Sequence, residues 1–295
     1  MGILTKPSTI IIPTDGSEFS EGAIREGIKL AKNSSSKIRA LYVIEFNPEY
    51  ESLAPNLAEK EEKTAQDILK ALKERAEKEG VECTALMVRN EFPYRAIVDE
   101  AESSGASLIV MGRRGRTGIK RLLMGSVTAK VIGHSKVDVL VVPRAAEITC
   151  KNILTATDGS TYAKNSVKVA SEIAKSCGAS LTIISVVPAE NVSAFDITRL
   201  EMQRELISEA ALKEAEKNIS EAKDIASSVG LSAKGIIAAG RPFEQIVEAS
   251  KQINADLIVL GSYGKTGLTK ALMGSVTEKV IGLASCATLI IVKKG

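Results

Sequence analysis

The sequence predicts an α/β protein built from two doubly wound, five-stranded parallel-sheet domains. Three observations lead there. Residues 107–133 (SLIVMGRRGRTGIKRLLMGSVTAKVIG) and 256–282 (DLIVLGSYGKTGLTKALMGSVTEKVIG) are identical at seventeen of twenty-seven positions. A repeat of that spacing is the size of a domain, so the chain is a tandem duplication and not a solenoid. Within each half, short β-branched apolar runs take turns with amphipathic helical stretches. The runs themselves do not alternate polar with apolar, which marks parallel strands covered on both faces.

In the first half the strands are expected at 8–13, 37–44, 81–88, 107–111 and 138–142, and the helices at 17–33, about 56–79, 93–104 and 126–134. The second half repeats the order, with strands at 152–157, 179–187, 231–238, 256–260 and 287–292. Its helices are expected near 160–176, 198–229, 242–253 and 275–284. Short connections and right-handed crossovers make a doubly wound sheet the simplest topology. The Glu- and Lys-rich helices at 56–79 and 198–229 read as solvated surface. The repeat offset is 143 at Asp15 and Asp158 but 149 at Gly112 and Gly261, so six residues are inserted in the second half, expected around 188–200. The domains are expected at 1–145 and 150–295, joined too tightly for a floppy tether.

Composition excludes several classes. A net charge of +3 is too small to imply nucleic acid or membrane binding, and 3% aromatics with no Trp argue against base-stacking RNA platforms. Cys83, Cys150, Cys177 and Cys286 stand apart from one another and from histidine, which excludes zinc and disulfide frameworks. No segment approaches the roughly 20 apolar residues of a membrane span, and no leader pattern is visible, so a cytoplasmic location is expected.

An open α/β sheet binds ligands at the carboxyl ends of its strands, where strand order reverses. Two segments of each half fall there. One is the end of the first strand, IIPTDGS at 11–17 and LTATDGS at 154–160, with Ser17 or Ser160 near a helix N-cap. The other is the fourth strand running into glycine: Gly112-x2-Gly115-x9-Gly125-Ser126 and Gly261-x2-Gly264-x9-Gly274-Ser275. The first two glycines let backbone approach a ligand without a Cβ in the way. Gly125 and Gly274 open a helical run whose free amides and positive dipole end suit phosphate oxygens. Ser126, Thr128, Ser275 and Thr277 are expected to add hydroxyl donors. Gly264-Lys265-Thr266 is not a P-loop, because position 259 is Val and the first half has Arg116 in place of Lys265.

The aspartate at the end of strand one, with the G-x2-G-x9-G-S spacing after strand four, resembles the universal stress protein family, and more specifically its nucleotide-binding branch. The resemblance covers nearly the whole chain as two domains. It implies a Rossmann-like fold of the adenine nucleotide alpha hydrolase type, strand order 3-2-1-4-5, binding ATP or its products ADP and AMP. Carried over, Pro13, Thr14, Asp15, Thr157 and Asp158 would lie beside the adenosine, and Val43 and Val186 would offer backbone to adenine. Gly112, Arg114, Gly115, Gly261 and Gly264 would line ribose and phosphates. Gly125, Ser126, Gly274 and Ser275 would hold the phosphates, with Val127, Thr128, Val276 and Thr277 behind them. Magnesium or manganese would ride on the phosphates, with no dedicated protein metal site. The family's domains dimerise through the last strand, which implies an internal pseudo-dimer and leaves room for a homodimer of chains.

The halves also differ. Pro13 becomes Ala156, and Glu91 takes the place of Gly240 ahead of the shared prolines Pro93 and Pro242. The first glycine loop carries Arg113, Arg114, Arg116, Lys120 and Arg121, where the second has Ser262, Tyr263, Lys265 and Lys270. That basic loop suits a more highly charged ligand tail, or is simply solvated. Acid–base catalysis usually recruits histidine or a tuned carboxylate. The sole histidine, His134, has Leu283 as its counterpart, so a binding protein that senses or switches on adenine nucleotides is expected, with at most slow ATP hydrolysis. The alternatives are a slow ATP-hydrolysing enzyme and a chaperone-like interaction protein with vestigial sites.

Overall fold

The computed structural model describes residues 8–46, 55–115, 124–188, 209–265 and 273–292. The chain divides into two compact units, Ile3–Glu147 and Ile148–Lys293. In the first, β1 (Thr9–Pro13) is followed by a 3-10 turn (Glu18–Ser20), α1 (Glu21–Ser34), β2 (Lys37–Glu45), α2 (Pro55–Lys78) and β3 (Cys83–Asn90). Then come α3 (Pro93–Ser103), β4 (Leu108–Gly112), α4 (Ser126–His134) and β5 (Asp138–Val142). The second unit runs β6 (Asn152–Ala156), α5 (Thr161–Cys177), β7 (Ser180–Pro188), α6 (Glu209–Ser228) and β8 (Ala233–Gly240). It closes with α7 (Pro242–Gln252), β9 (Leu257–Gly261), α8 (Ser275–Leu283) and β10 (Ala287–Ile291). The expected insertion around 188–200 and the first residues of the helix expected at 198–229 lie outside the described residues.

Every pairing within a unit is parallel. The strand order is β3-β2-β1-β4-β5 in the first unit and its equivalent, β8-β7-β6-β9-β10, in the second. Four strands are covered on both faces: all five residues of β4, β5, β9 and β10 are buried. On α1 the buried Ile24, Ile28 and Ala31 recur at helical spacing and turn toward the sheet. In the second unit, Leu154, Ile184, Ile258 and Leu260 meet Ile246, Val247 and Val280 from α7 and α8. The outer strands differ from the expectation of uniform burial. Met87 on β3 and Ile237 on β8 are more than a third exposed, on strands that each hold a single fully buried residue.

The residues flanking the boundary are each held by their own unit. Arg25 Nη1 donates to Arg144 O at 3.3 Å. Asp256 accepts from Thr149 Oγ1 at 2.6 Å and from Lys151 N at 2.8 Å.

The register corrects two readings made at fixed sequence offset. Glu45 pairs with Asn90 and Pro188 with Gly240, so Asn90, not Glu91, stands where Gly240 does. Two residues lie between β3 and α3 but one between β8 and α7. The second unit is therefore longer by seven residues between the end of its second strand and the end of its second helix, and shorter by one in the next turn. Its net gain of six hides both changes. Gly240, at φ +133°, makes the shorter turn in a conformation other residues rarely adopt.

Candidate functional site

In each unit the chain leaves its first strand in one direction and returns to its fourth on the other side, so the crevice lies between β1 and β4, or β6 and β9. The β1–β4 register runs over Ile10–Leu108 and Ile11–Ile109. Beyond it β1 turns toward β2, where Thr14 N donates to Leu41 O at 2.9 Å. Thr157 N repeats this with Ile184 O at 2.9 Å.

The Thr-Asp-Gly-Ser segment folds into the same nested turn twice. Thr14 Oγ1 accepts from Gly16 N at 3.1 Å, and Asp15 Oδ1 from Ser17 N at 3.0 Å. Thr157 Oγ1 accepts from Gly159 N at 3.2 Å, and Asp158 Oδ1 from Ser160 N at 2.9 Å. Gly16 and Gly159 take φ +73° and +81°, open to glycine without strain. Ser160 then caps α5, accepting from Ala163 N at 3.2 Å. Ser17 does not cap: its hydroxyl donates to Asp15 Oδ1 at 2.7 Å and a 3-10 turn intervenes before α1.

The other carboxylate oxygen faces the glycine loop. Asp158 Oδ2 accepts from Lys265 N at 2.8 Å, and Lys265 Nζ is paired with Glu214 on α6. A Cβ on Gly264 would lie 2.7 Å from Asp158 Oδ2, and one on Gly115 would lie 2.8 Å from Asp15 Oδ2. Those glycines are fixed by close approach of the aspartate.

At the helix start, Gly125 N donates to Arg113 O and Gly274 N to Ser262 O, both at 2.9 Å. Glycine supplies no capping side chain to α4 or α8, so neither helix has a side-chain cap of its own over its first amides. Ser126 and Ser275 stand exposed there. The threonines behave otherwise than expected. Thr128 Oγ1 donates to Gly112 O at 3.1 Å and Thr277 Oγ1 to Gly261 O at 3.0 Å, in buried positions. Their protons are committed to the fourth strand, so they hold the helix to the strand.

One cavity of about 370 Å³ in the first unit is lined by Pro13, Thr14, Asp15, Val43, Gly112, Arg114, Gly115, Gly125, Ser126, Val127 and Thr128. Those are all the first-half residues that the family resemblance carries over, and the volume is that of a small-molecule site. Ser20, Leu41, Glu45, Glu61, Pro93, Ile97 and Met111 complete the lining. Glu45 was within reach of sequence, lying two residues beyond Val43 on the same side of β2. Glu61 was not, because it reads as one more charge on a solvated helix. In the second unit, Ser275 and Val276 border a groove of about 460 Å³ with Arg241, Pro242, Phe243 and Lys279. Thr157, Asp158, Gly261, Gly264, Gly274 and Thr277 are joined by the contacts above. Val186 and Val276 pack on the α7–α8 face of the core. Arg116, Lys120, Arg121 and Lys270 lie outside the described residues.

Electrostatics single out the first loop. Arg113 is held below the usual arginine value, by burial first and then by the charge of Arg114. Arg114 Nε is buried with no hydrogen-bond partner among the described residues. Among those residues no group of three or more His, Cys, Asp or Glu side chains could hold a metal, and no helix is long and apolar enough to cross a membrane.

A family model described as the universal stress protein family matches residues 7–143 and again 149–292. The chain is 37% identical over 143 residues to universal stress protein MJ0531 of Methanocaldococcus jannaschii, covering 46% of this chain and 81% of that protein. It is 33% identical over 146 residues to universal stress protein YxiE of Bacillus subtilis, covering 45% of this chain and 97% of that protein. Among solved structures, a universal stress protein from Archaeoglobus fulgidus shares the fold across 98% of each chain, with a TM-score of 0.73 and 21% identity.

Proposed function

The chain belongs to the universal stress protein family, and on that premise we propose that each unit binds one adenine nucleotide, ATP or its products ADP and AMP, as a nucleotide-dependent sensor or switch. The observation that carries the reading is the uncapped helix start at Gly125 and Gly274, beside the aspartate-held glycine loop, built with the same hydrogen bonds in both units. Backbone amides at a helix N-terminus and its dipole suit phosphate oxygens. Adenine has a matching place along β2. The β1 ladder ends at Leu41, and Val43, two residues on, turns the same side of its backbone toward the cleft. Val186 holds that position on β7, beyond Ile184. A magnesium or manganese ion would travel on the phosphates. A homodimer of chains belongs to the same proposal, and light scattering with and without nucleotide reads it.

The experiment is to denature the protein as purified and to identify and count what it releases. About two adenine nucleotides per chain is the expected result, and ADP or AMP after loading with ATP would reveal slow hydrolysis. Added ligand should also raise the melting temperature, since binding to the native state alone contributes about 2.7 kcal/mol at a hundredfold excess over Kd. No nucleotide released, and no thermal shift with ATP, ADP or AMP and magnesium, would turn the reading toward an interaction protein with vestigial clefts.

A further inference from the structure

The two glycine loops share their hydrogen bonds but not their chemistry. Gly125 lies against Arg113 O and Arg114 Cα, and Gly274 against Ser262 O and Tyr263 Cα. On one backbone, two arginines stand where the other unit has a serine and a tyrosine. We propose that the first cleft discriminates adenine nucleotides by the length of their phosphate chain, through Arg113 and Arg114, and that the second is indifferent to it. The proposal rests on the nucleotide-binding reading above.

Arg114 lines the same cavity as Gly125 and Ser126, so its guanidinium belongs to the phosphate end. Its Nε is buried with no acceptor among the described residues, a donor available to an anion. Arg113 is half-buried beside a like charge, and both burial and Arg114 work against its protonated form. An oxyanion on Arg114 supplies that acceptor and offsets the like charge beside it, and each added phosphate brings charge and acceptors suited to a planar fork of donors.

The second loop offers no such gain. Ser262 is 2% exposed and neutral, and the Tyr263 ring packs on Tyr162 with centroids 5.5 Å apart. The cations near Ser275 are engaged elsewhere. Arg241 pairs with Glu244 at 3.1 Å, and Lys279 lies 4.7 Å from the centre of the Phe243 ring. Lys130 takes the same posture over Tyr94 in the first unit, so it does not separate the clefts. The far ends differ in the complementary sense. Glu45 and Glu61 line the first cleft, whereas Pro188 ends β7 and the corresponding place on α6 is Ala211. Carboxylates at the β2 end oppose reversed binding of a polyphosphate.

The test is isothermal titration of the full chain with ATP, ADP and AMP under chelation, so that the phosphates keep their full charge. The expected result is two classes of site, one tightening at least about tenfold from AMP to ATP, as a charge-assisted contact implies, the other holding within about threefold. The double variant Arg113→Ser/Arg114→Tyr should flatten the first class, so that ATP loses its advantage over AMP. The reciprocal Ser262→Arg/Tyr263→Arg should create a gradient in the second. Circular dichroism verifies the fold of each. Added salt should flatten the native gradient without touching the second class, a readout that needs no variant. Equal gradients at both sites, no gradient at either, or a gradient surviving in the double variant would overturn the proposal while leaving nucleotide binding intact. No binding of any nucleotide would remove the underlying reading and this proposal with it.

Discussion

At Thr128 the hydroxyl proton goes to the Gly112 carbonyl, and at Thr277 to that of Gly261. Thr128→Val keeps the shape and leaves that buried carbonyl without its donor, so urea unfolding should show a loss of about 1–3 kcal/mol. Thr128→Ser should recover most of it. A threonine acting only on ligand would leave the stability of the empty protein unchanged. Gly115→Val and Gly264→Val each drive a side chain toward a carboxylate held by its own turn, and released nucleotide should fall from about two per chain to about one in each variant. Unchanged stoichiometry in both would remove the glycines from the site. The glycines and aspartates were legible because their spacing recurs in both halves. The committed threonine protons were not, since a hydrogen bond to a carbonyl sixteen residues earlier leaves no local pattern.

Helices and strands were legible to within a residue or two wherever their period was clean, save that the helix expected from 17 begins at Glu21, after the 3-10 turn Glu18–Ser20. The first-unit helix at 126–134 was read with its observed bounds. The outer strands β3 and β8 begin two residues later than expected, because half-exposed edge strands weaken the apolar signal at their ends. Equivalent sequence also concealed unequal capping. Ser160 caps α5, whereas Ser17 in the identical Thr-Asp-Gly-Ser run turns to Asp15. Ser160→Ala should destabilise the second unit by about 1 kcal/mol. Ser17→Ala should leave α1 helicity unchanged and loosen the Asp15 turn instead. Hydrogen exchange resolved along α1 and α5 separates the two, and equal fraying of both helices would contradict the assignment.

Across the whole molecule, thiol chemistry follows burial. Cys177 is exposed, whereas Cys83 and Cys286 are buried. A native protein treated with an alkylating agent near pH 8 should therefore label Cys177 first and Cys286 last. Burial pushes the Cys286 thiol up to about 11, from an ordinary 9.0. The folded state holds that proton more tightly than the unfolded chain, so the contribution to stability is complete below pH 9 and lost as pH climbs toward 11. Cys286→Val, which installs the residue found at the equivalent Val137, should remove that part of the slope. The duplication was legible in full at this scale, because glycine spacing and core apolar residues survive while surfaces diverge. The offsetting length changes around β3 and β8 were not, since only backbone pairing reveals them. They also govern any attempt to recombine the halves. A chimera cut inside these strands at the 149-residue spacing would splice one frame out of step. Every residue of the grafted strand would then present its side chain to the opposite face. Junctions spaced by 150 within the strand, or moved beyond Pro93 and Pro242, keep the graft in phase.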